Sequence, residues 1–151
     1  MKNRLYVLSF FLIQSLSVSF AQVTKDELAI RGVLEGHSRA CLDADVTKAI
    51  SYYARSPYVA TAFDEPGYGR GYEAMTALYK KEFANGQKSL DKLTATTYRF
   101  RIVNNTAFVT YIEVYTKPDG TVSKVHKANY LEKEQGQWKI IGNFWIPEKT
   151  P

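Results

Sequence analysis

Residues 93–146 read LTATTYRFRIVNNTAFVTYIEVYTKPDGTVSKVHKANYLEKEQGQWKIIGNFWI. Apolar and polar residues alternate along most of this stretch, and Asn-Asn, Pro-Asp-Gly and Gln-Gly interrupt it at residues 104–105, 118–120 and 135–136. A period of two is typical of strands, and these interruptions are typical of tight turns. The stretch therefore predicts four antiparallel strands joined by hairpins.

The turns also predict a strand register. Directly opposed residues share one face of a sheet, so each turn carries the alternation into the next strand. The pairs taken as opposed are Val103 with Thr106, Thr116 with Thr121, and Glu134 with Gln137. A bulge or a longer loop at residues 118–120 would exchange the faces of everything beyond it.

Under this register the two sheet faces differ in chemistry. The first is aromatic and partly polar, and it comprises Thr96, Tyr98, Phe100, Ile102, Ala107, Val109, Tyr111, Glu113, His126, Ala128, Tyr130, Ile141, Asn143 and Trp145. The second is largely aliphatic, and it comprises Phe108, Ile112, Val114, Val125, Leu131, Trp138, Ile140 and Phe144. So much apolar surface is rarely left exposed on a monomer, so both faces are expected to be covered.

Helices precede the strands and are predicted to cover the first face. Residues 25–44 form an amphipathic helix with His37 at the centre of its buried stripe and Ser38 on its polar side. A second helix, capped by Asp45, turns Tyr53 inward.

A short strand and a third helix complete the predicted order. The strand covers residues 58–63, and a glycine-rich loop, residues 64–71, follows it. The third helix buries Tyr79 and ends at Asn85-Gly86.

The first 21 residues have the pattern of a secretory signal peptide. A basic start with Lys2 and Arg4, a short apolar run and Ser19-Phe20-Ala21 predict cleavage before Gln22. The apolar run is short for a bilayer span, and no Cys follows Ala21 for lipid anchoring. We expect an exported protein, periplasmic or secreted, with no stable membrane anchor and one mature domain at residues 22–151.

Charge and cysteine content exclude several classes of protein. Loss of Lys2 and Arg4 lowers the formal charge from +5 to +3, and the remaining basic residues are scattered, so nucleic acid is not an expected partner. Cys41 is the only cysteine, which excludes an internal disulfide. We interpret it as a small apolar residue of a helix face.

Three motifs carry a resemblance to a known superfamily. They are residues 40–45 (ACLDAD), residues 70–75 (RGYEAM) and the hairpin at residues 136–140 (GQWKI). In order and spacing the mature chain resembles the nuclear transport factor 2-like superfamily, in its SnoaL-like, ketosteroid-isomerase-like and kinase-association-domain-like branches.

The resemblance implies an α+β fold with an internal pocket. A cone-shaped, curved antiparallel sheet would wrap around the N-terminal helices, as in a cystatin-like α+β barrel, and dimers would be common. The kinase-association branch implies that Ile141, Asn143 and Trp145 point into the cavity. Activities in this superfamily are diverse, so the fold alone does not select one.

The predicted pocket holds candidates for catalysis and for ligand binding. The catalytic candidates are His37, His126, Glu113 and Tyr111: a buried imidazole or carboxylate can act as a base, and a phenol, Tyr98 included, as an acid. Glu113 has a structural alternative, an ion pair with Lys124 on the neighbouring strand. The ligand-binding candidates are Tyr53, Tyr79, Tyr98, Phe100, Tyr130, Asn143 and Trp145.

Three functions remain open from the sequence. The first is binding of a small hydrophobic or aromatic ligand, because the pocket is rich in rings and poor in charge. The second is a cofactor-independent isomerase, dehydratase or hydrolase. The third is an assembly domain. No ligand spacing for a metal and no phosphate-binding loop is present, so no metal and no cofactor are expected.

The apolar second face predicts an oligomer. A sheet face can pair with its own copy about a twofold axis. We therefore expect a homodimer through Phe108, Ile112, Val114, Trp138 and Phe144.

Overall fold

The computed structural model describes residues 23–62 and 68–148. Three helices, α1 (Lys25–Leu42), α2 (Val46–Ser51) and α3 (Tyr72–Glu82), pack on one face of a six-stranded sheet. The strands are β1 (Ala60–Ala62), β2 (Tyr68–Arg70), β3 (Lys92–Val103), β4 (Thr106–Thr116), β5 (Val122–Glu134) and β6 (Gln137–Pro147). The predicted signal peptide lies outside the described residues.

The sheet is curved and open, with the strand order β2-β1-β6-β5-β4-β3. Neighbouring strands are antiparallel except β1 and β6, which are parallel. The α+β class and the curved sheet are as the sequence predicts. The loop predicted at residues 64–71 is in part a strand, because β2 pairs with β1.

The helix starts follow local side-chain chemistry. Thr24 caps α1, with its Oγ1 accepting a hydrogen bond from the Glu27 backbone N–H at 3.2 Å, while Glu27 accepts one from the Thr24 N–H at 2.7 Å. Asp45 caps α2 as predicted, accepting from the Lys48 N–H at 3.0 Å. Helix α1 ends two residues earlier than predicted, since Ala44 has a φ of +52°.

The predicted register fails at residues 117–121. The first and last turns pair as predicted, Val103 with Thr106 and Glu134 with Gln137. Thr116, however, pairs with Val122 rather than with Thr121.

The loop is one residue longer than predicted because the Gly120 N–H donates to the Lys117 carbonyl at 2.9 Å and the Lys117 N–H to the Thr121 carbonyl at 2.8 Å. The faces of β5 are therefore exchanged. Lys127, Asn129 and Leu131 point toward the helices, and His126, Ala128 and Tyr130 point away.

A bulge in β6 exchanges the faces a second time. Pairing shifts between Tyr130 and Leu131 of β5, leaving Ile141 as the extra residue of β6. Before the bulge Trp138 and Ile140 are buried under the helices, contrary to the prediction. We call the sheet face that packs against the helices the inner face and the opposite one the outer face. After the bulge Asn143 and Trp145 lie on the inner face, as predicted.

A further bulge lies in β3 between Thr96 and Arg99. Thr96 pairs with Ile112 on the outer face instead of joining the inner face, whereas Tyr98, Phe100 and Ile102 face inward as predicted.

The core lies between the helices and the inner sheet face. It is formed by buried side chains of α1, α3 and the central strands, among them Ile30, Leu34, Met75, Tyr79, Val109, Leu131 and Ile140. Burial of such side chains contributes roughly 1.5–3 kcal/mol each. Within the described part of the chain, no helix is both long and apolar enough to cross a membrane.

Candidate functional site

A cavity of about 280 Å³ lies between α1, the end of α3 and the inner faces of β4, β5 and β6. Its apolar walls are Phe83, Val125 and Trp145. Its polar walls come from both helices and all three strands. This arrangement, apolar walls with a few polar groups, is typical of small-molecule sites.

A chain of hydrogen bonds runs from the cavity into the core. His37 Nε2 and Tyr79 Oη are 2.7 Å apart, and Tyr79 Oη lies 2.8 Å from Tyr53 Oη. Asn143 Nδ2 donates to Tyr53 Oη at 3.0 Å, and Asn129 Nδ2 donates to Asn143 Oδ1 at 3.1 Å. These side chains are fixed by their partners and are uncharged.

Burial sets the protonation of this chain. It lowers the pKa of His37 to about 3, and the charge of Lys127 lowers it further in the same direction. Burial raises the pKa of Tyr53 to about 12 and holds that of Tyr79 well above its ordinary value. At neutral pH the imidazole and both phenols are therefore neutral, and none is poised to exchange a proton.

Glu113 is a buried carboxylate held on both oxygens. Ser38 Oγ donates to Oε1 at 2.5 Å, and Tyr111 Oη donates to the same oxygen at 3.5 Å. Tyr115 Oη donates to Oε2 at 2.7 Å, and Lys127 Nζ lies 3.7 Å from that oxygen.

The predicted partner of Glu113 was wrong. Lys124, near the start of β5, instead pairs with Glu148, just after the end of β6, at 3.8 Å, and both side chains are exposed. Ser38, predicted on the polar side of α1, is buried because it donates to Glu113.

Lys127 is the charged residue that the predicted register concealed. It is 8% exposed, and its ammonium lies 6.0 Å from the centre of the Trp145 ring. With Thr116 opposite Val122, the alternation along β5 would have pointed to it.

Cys41 also contacts this site. Its Sγ lies 3.6 Å from His37 Nε2, and burial raises its pKa to about 12. A thiol so strongly protonated is a poor nucleophile, which agrees with its interpretation as a small apolar residue.

The rings of Tyr98 and Phe100 form a stack beside the cavity. Tyr98 lies against Tyr111, with centroids 4.8 Å apart, and against Phe100, at 5.6 Å. The Arg31 guanidinium covers Tyr98 at 4.3 Å, and Tyr98 Oη donates to Glu35 at 3.0 Å. Burial raises the pKa of Tyr98. These contacts give the stack a role in packing α1 on the sheet.

The structure thus brings together most of the predicted site residues. His37, Glu113, Tyr79, Asn143 and Trp145 line the cavity. Tyr53 and Tyr111 lie behind the cavity wall, where Tyr53 hydrogen-bonds with Tyr79 and Tyr111 donates to Glu113.

Two predicted residues lie on the opposite side of the sheet. His126 borders an outer groove of about 410 Å³, and Tyr130 is exposed on the same face. The missed residues, Ser38, Tyr115, Lys127 and Asn129, depend on tertiary contacts or on the corrected register.

Metal-binding geometry is not found in residues 23–62 and 68–148. No group of three or more His, Cys, Asp or Glu side chains there is arranged to hold an ion.

A curved sheet packed on N-terminal helices, with a cavity between them, defines a cystatin-like α+β domain of the pocket type. The fold is that of nuclear transport factor 2-like proteins, and many solved structures share it. No family model and no curated protein matches the chain.

Three of the similar structures show the range of the fold. A ketosteroid isomerase-like protein from Erwinia carotovora atroseptica has a TM-score of 0.66 and 14% identity over 84% of this chain and 99% of that one. A protein from Streptomyces avermitilis is provisionally described as a dehydratase of the nuclear transport factor 2-like family. It has a TM-score of 0.66 and 16% identity over 83% of this chain and 97% of that one.

The third is from Thiobacillus denitrificans and is provisionally described as a calcium/calmodulin-dependent protein kinase type II association domain. Its TM-score is 0.68, with 15% identity over 79% of this chain and 94% of that one. Likeness at this level of identity establishes the fold.

Proposed function

We propose that the protein is an exported binding domain that holds a small aromatic or lipophilic molecule in the cavity. The observation that carries this proposal is that the cavity groups able to transfer protons are either held neutral by burial or already engaged in hydrogen bonds with neighbouring side chains. His37 is neutral with Nε2 bonded to Tyr79, and Glu113 accepts from three hydroxyl groups. Such a site is built for shape and fixed polarity, which suits binding.

A proton-transfer enzyme is the weaker alternative. The ketosteroid isomerase-like and provisionally assigned dehydratase structures belong to the same fold. General acid–base catalysis, however, works best with pKa values near the operating pH, whereas the pKa of His37 is about 3 and those of Tyr53, Tyr79 and Tyr111 are raised by burial.

The proposal is tested by native mass spectrometry with a panel of uncharged one- and two-ring compounds. Trp145 forms a cavity wall, and its neighbour Phe144 lies on the outer sheet face, so the two alanine variants form a matched pair. We expect complexes with the wild type and with Phe144→Ala, and about tenfold weaker binding with Trp145→Ala. Equal loss in both variants, or no complex with any compound, would count against the cavity as the binding site.

Export has a separate test. Residues 1–21 carry the signal-peptide pattern, so the intact mass of protein recovered from the extracytoplasmic fraction should correspond to residues 22–151. Recovery of the full-length mass in the cytoplasm alone would overturn this part of the proposal.

A further inference from the structure

The Lys127 ammonium has no hydrogen bond to a residue of the described ranges, although its side chain is nearly buried. Glu113 Oε2 lies 3.7 Å from Lys127 Nζ, beyond hydrogen-bond distance, and the side chain is 8% exposed. An ammonium has three N–H donors, and Lys127 Nζ is not among the fully buried polar atoms of the described residues, so these donors remain accessible from the cavity that Lys127 lines. The ammonium can therefore donate a hydrogen bond to a molecule in the cavity.

The other walls do not supply that acceptor. Glu113 is held in place by Ser38 and Tyr115, so it is not free to swing toward the ammonium. The Asn143 amide is directed at Tyr53 and Asn129. A ligand in the cavity can therefore supply an acceptor that these side chains do not.

The charge balance selects the kind of acceptor. Lys127 and Glu113 compensate each other within the cavity, and Glu82 adds a carboxylate at its exposed rim. A carboxylate ligand would leave an excess negative charge in a poorly solvated space close to Glu113, which is costly. An uncharged oxygen satisfies the N–H donors and leaves the balance intact.

We infer that Lys127 is the residue that orients the ligand, by donating a hydrogen bond to an uncharged acceptor oxygen such as a lactone, ester or amide carbonyl. This inference rests on the proposed binding function. The apolar body of the ligand lies against Phe83, Val125 and Trp145. A cavity of about 280 Å³ is near the lower end of the range for ligand pockets, so two-ring probes suit it.

The test compares coumarin, which has a lactone carbonyl, with naphthalene, which has the same two-ring outline and no oxygen, and with 2-naphthoate, which is anionic. Affinities are measured by calorimetry for the purified wild type. We expect coumarin to bind about tenfold or more tightly than either of the others, because a hydrogen bond to a charged group orients it.

Two variants isolate the role of Lys127. Lys127→Met removes the donor, and Lys127→Met combined with Glu113→Gln removes it without leaving a buried charge. In both, the preference for coumarin over naphthalene should fall to about one, while naphthalene binding is retained. The carbonyl stretching frequency of 13C-labelled coumarin should be lower when it is bound to the wild type than when it is bound to the double variant, which lacks the Lys127 donor.

Each alternative outcome has a distinct meaning. Equal binding of coumarin and naphthalene with an unshifted carbonyl band would overturn the role of Lys127 and leave the binding function standing. Tighter binding of 2-naphthoate would overturn the argument from charge balance. Binding of none of the three would count against the proposed function and, with it, this inference.

Discussion

His37 illustrates how burial decides the chemistry of a single residue. It lies in the C-terminal half of α1, 4% exposed, with its ring edge-on to Tyr53 and Tyr79 at centroid distances of 5.3 and 5.9 Å. Ring packing and one strong hydrogen bond replace the hydration that a charged imidazole would need. His126, in contrast, is exposed on the outer face of the sheet.

The lowered pKa of His37 predicts a pH-dependent stability. Between about pH 6.5 and pH 3 the unfolded chain binds a proton at His37 and the folded chain does not. The free energy of unfolding should therefore fall with decreasing pH in this window, by up to about 1.4 kcal/mol per pH unit. Above pH 6.5 the ionisation of His37 should no longer change the free energy of unfolding.

Urea unfolding across this window measures the effect as the difference between the wild type and His37→Gln. The matched control is His126→Gln, which removes the other histidine of the chain. Parallel pH profiles for the wild type and His37→Gln would show that the imidazole is not buried in its neutral form.

Glu113 and Lys127 form a pair whose members depend on each other. Lys127→Met leaves a buried carboxylate without its cation and should destabilise the fold by about 3 kcal/mol. Adding Glu113→Gln should recover part of that loss. Lys124→Met, which breaks the exposed pair with Glu148, should cost less than about 1 kcal/mol. If urea unfolding showed that the losses of stability caused by Lys127→Met and Glu113→Gln simply add in the double variant, the two residues would not be coupled.

Some residues of the cavity could be placed from the sequence and others could not. Helical periodicity was sufficient to place His37, Tyr53 and Tyr79 in one interior, because helix faces repeat without reference to other elements. Lys127 could not be found in this way, because its orientation depends on one residue of loop length.

At the element scale, every element except β2 was predicted in its correct order, and the faces of the strands beyond the first hairpin were not. Turn chemistry located all three hairpins, but the loop at residues 117–121 and the bulges in β3 and β6 depend on hydrogen bonds that no local pattern specifies. The two exchanges of face, in the loop before β5 and in β6, cancel. That cancellation is why Asn143 and Trp145 were placed correctly and His126 and Trp138 were not.

The bulge in β3 predicts a stabilising substitution. Thr97 has a φ of +57°, which is costly for a β-branched residue and easier for Asn. Thr97→Asn should raise the free energy of unfolding by about 1 kcal/mol. Thr96→Asn, one residue earlier in the strand, should lower it slightly, since Thr favours strands over Asn. If both substitutions changed the free energy of unfolding in the same direction, the bulge would carry no backbone strain.

At the scale of the whole molecule, the outer sheet face suggests a second copy of the chain as its partner. Phe108 and Phe144 are 48% and 43% exposed there, with Ile112 and Val114 alongside. Trp138 does not belong to this face, because it is buried and its indole Nε1 donates to Asp26 at 2.9 Å. A face formed by adjacent strands can pair with its own copy about a twofold axis.

We propose a homodimer through this outer face. Phe108→Glu and Phe144→Glu should convert it to a monomer in light scattering while preserving the circular dichroism spectrum. Leu28→Glu, at an exposed apolar position on α1, is the control and should leave the dimer intact. A monomeric wild type at high protein concentration would overturn the proposal.

Binding of a small molecule inside the cavity can be followed through the imidazole resonances of the only two histidines in the chain. His37 lines the cavity, and His126 borders the outer groove on the other side of the sheet. On titration with coumarin, we expect saturable shifts of the His37 ring signals and unchanged His126 signals. Shifts confined to His126, or no shift of His37 at saturating ligand, would contradict it.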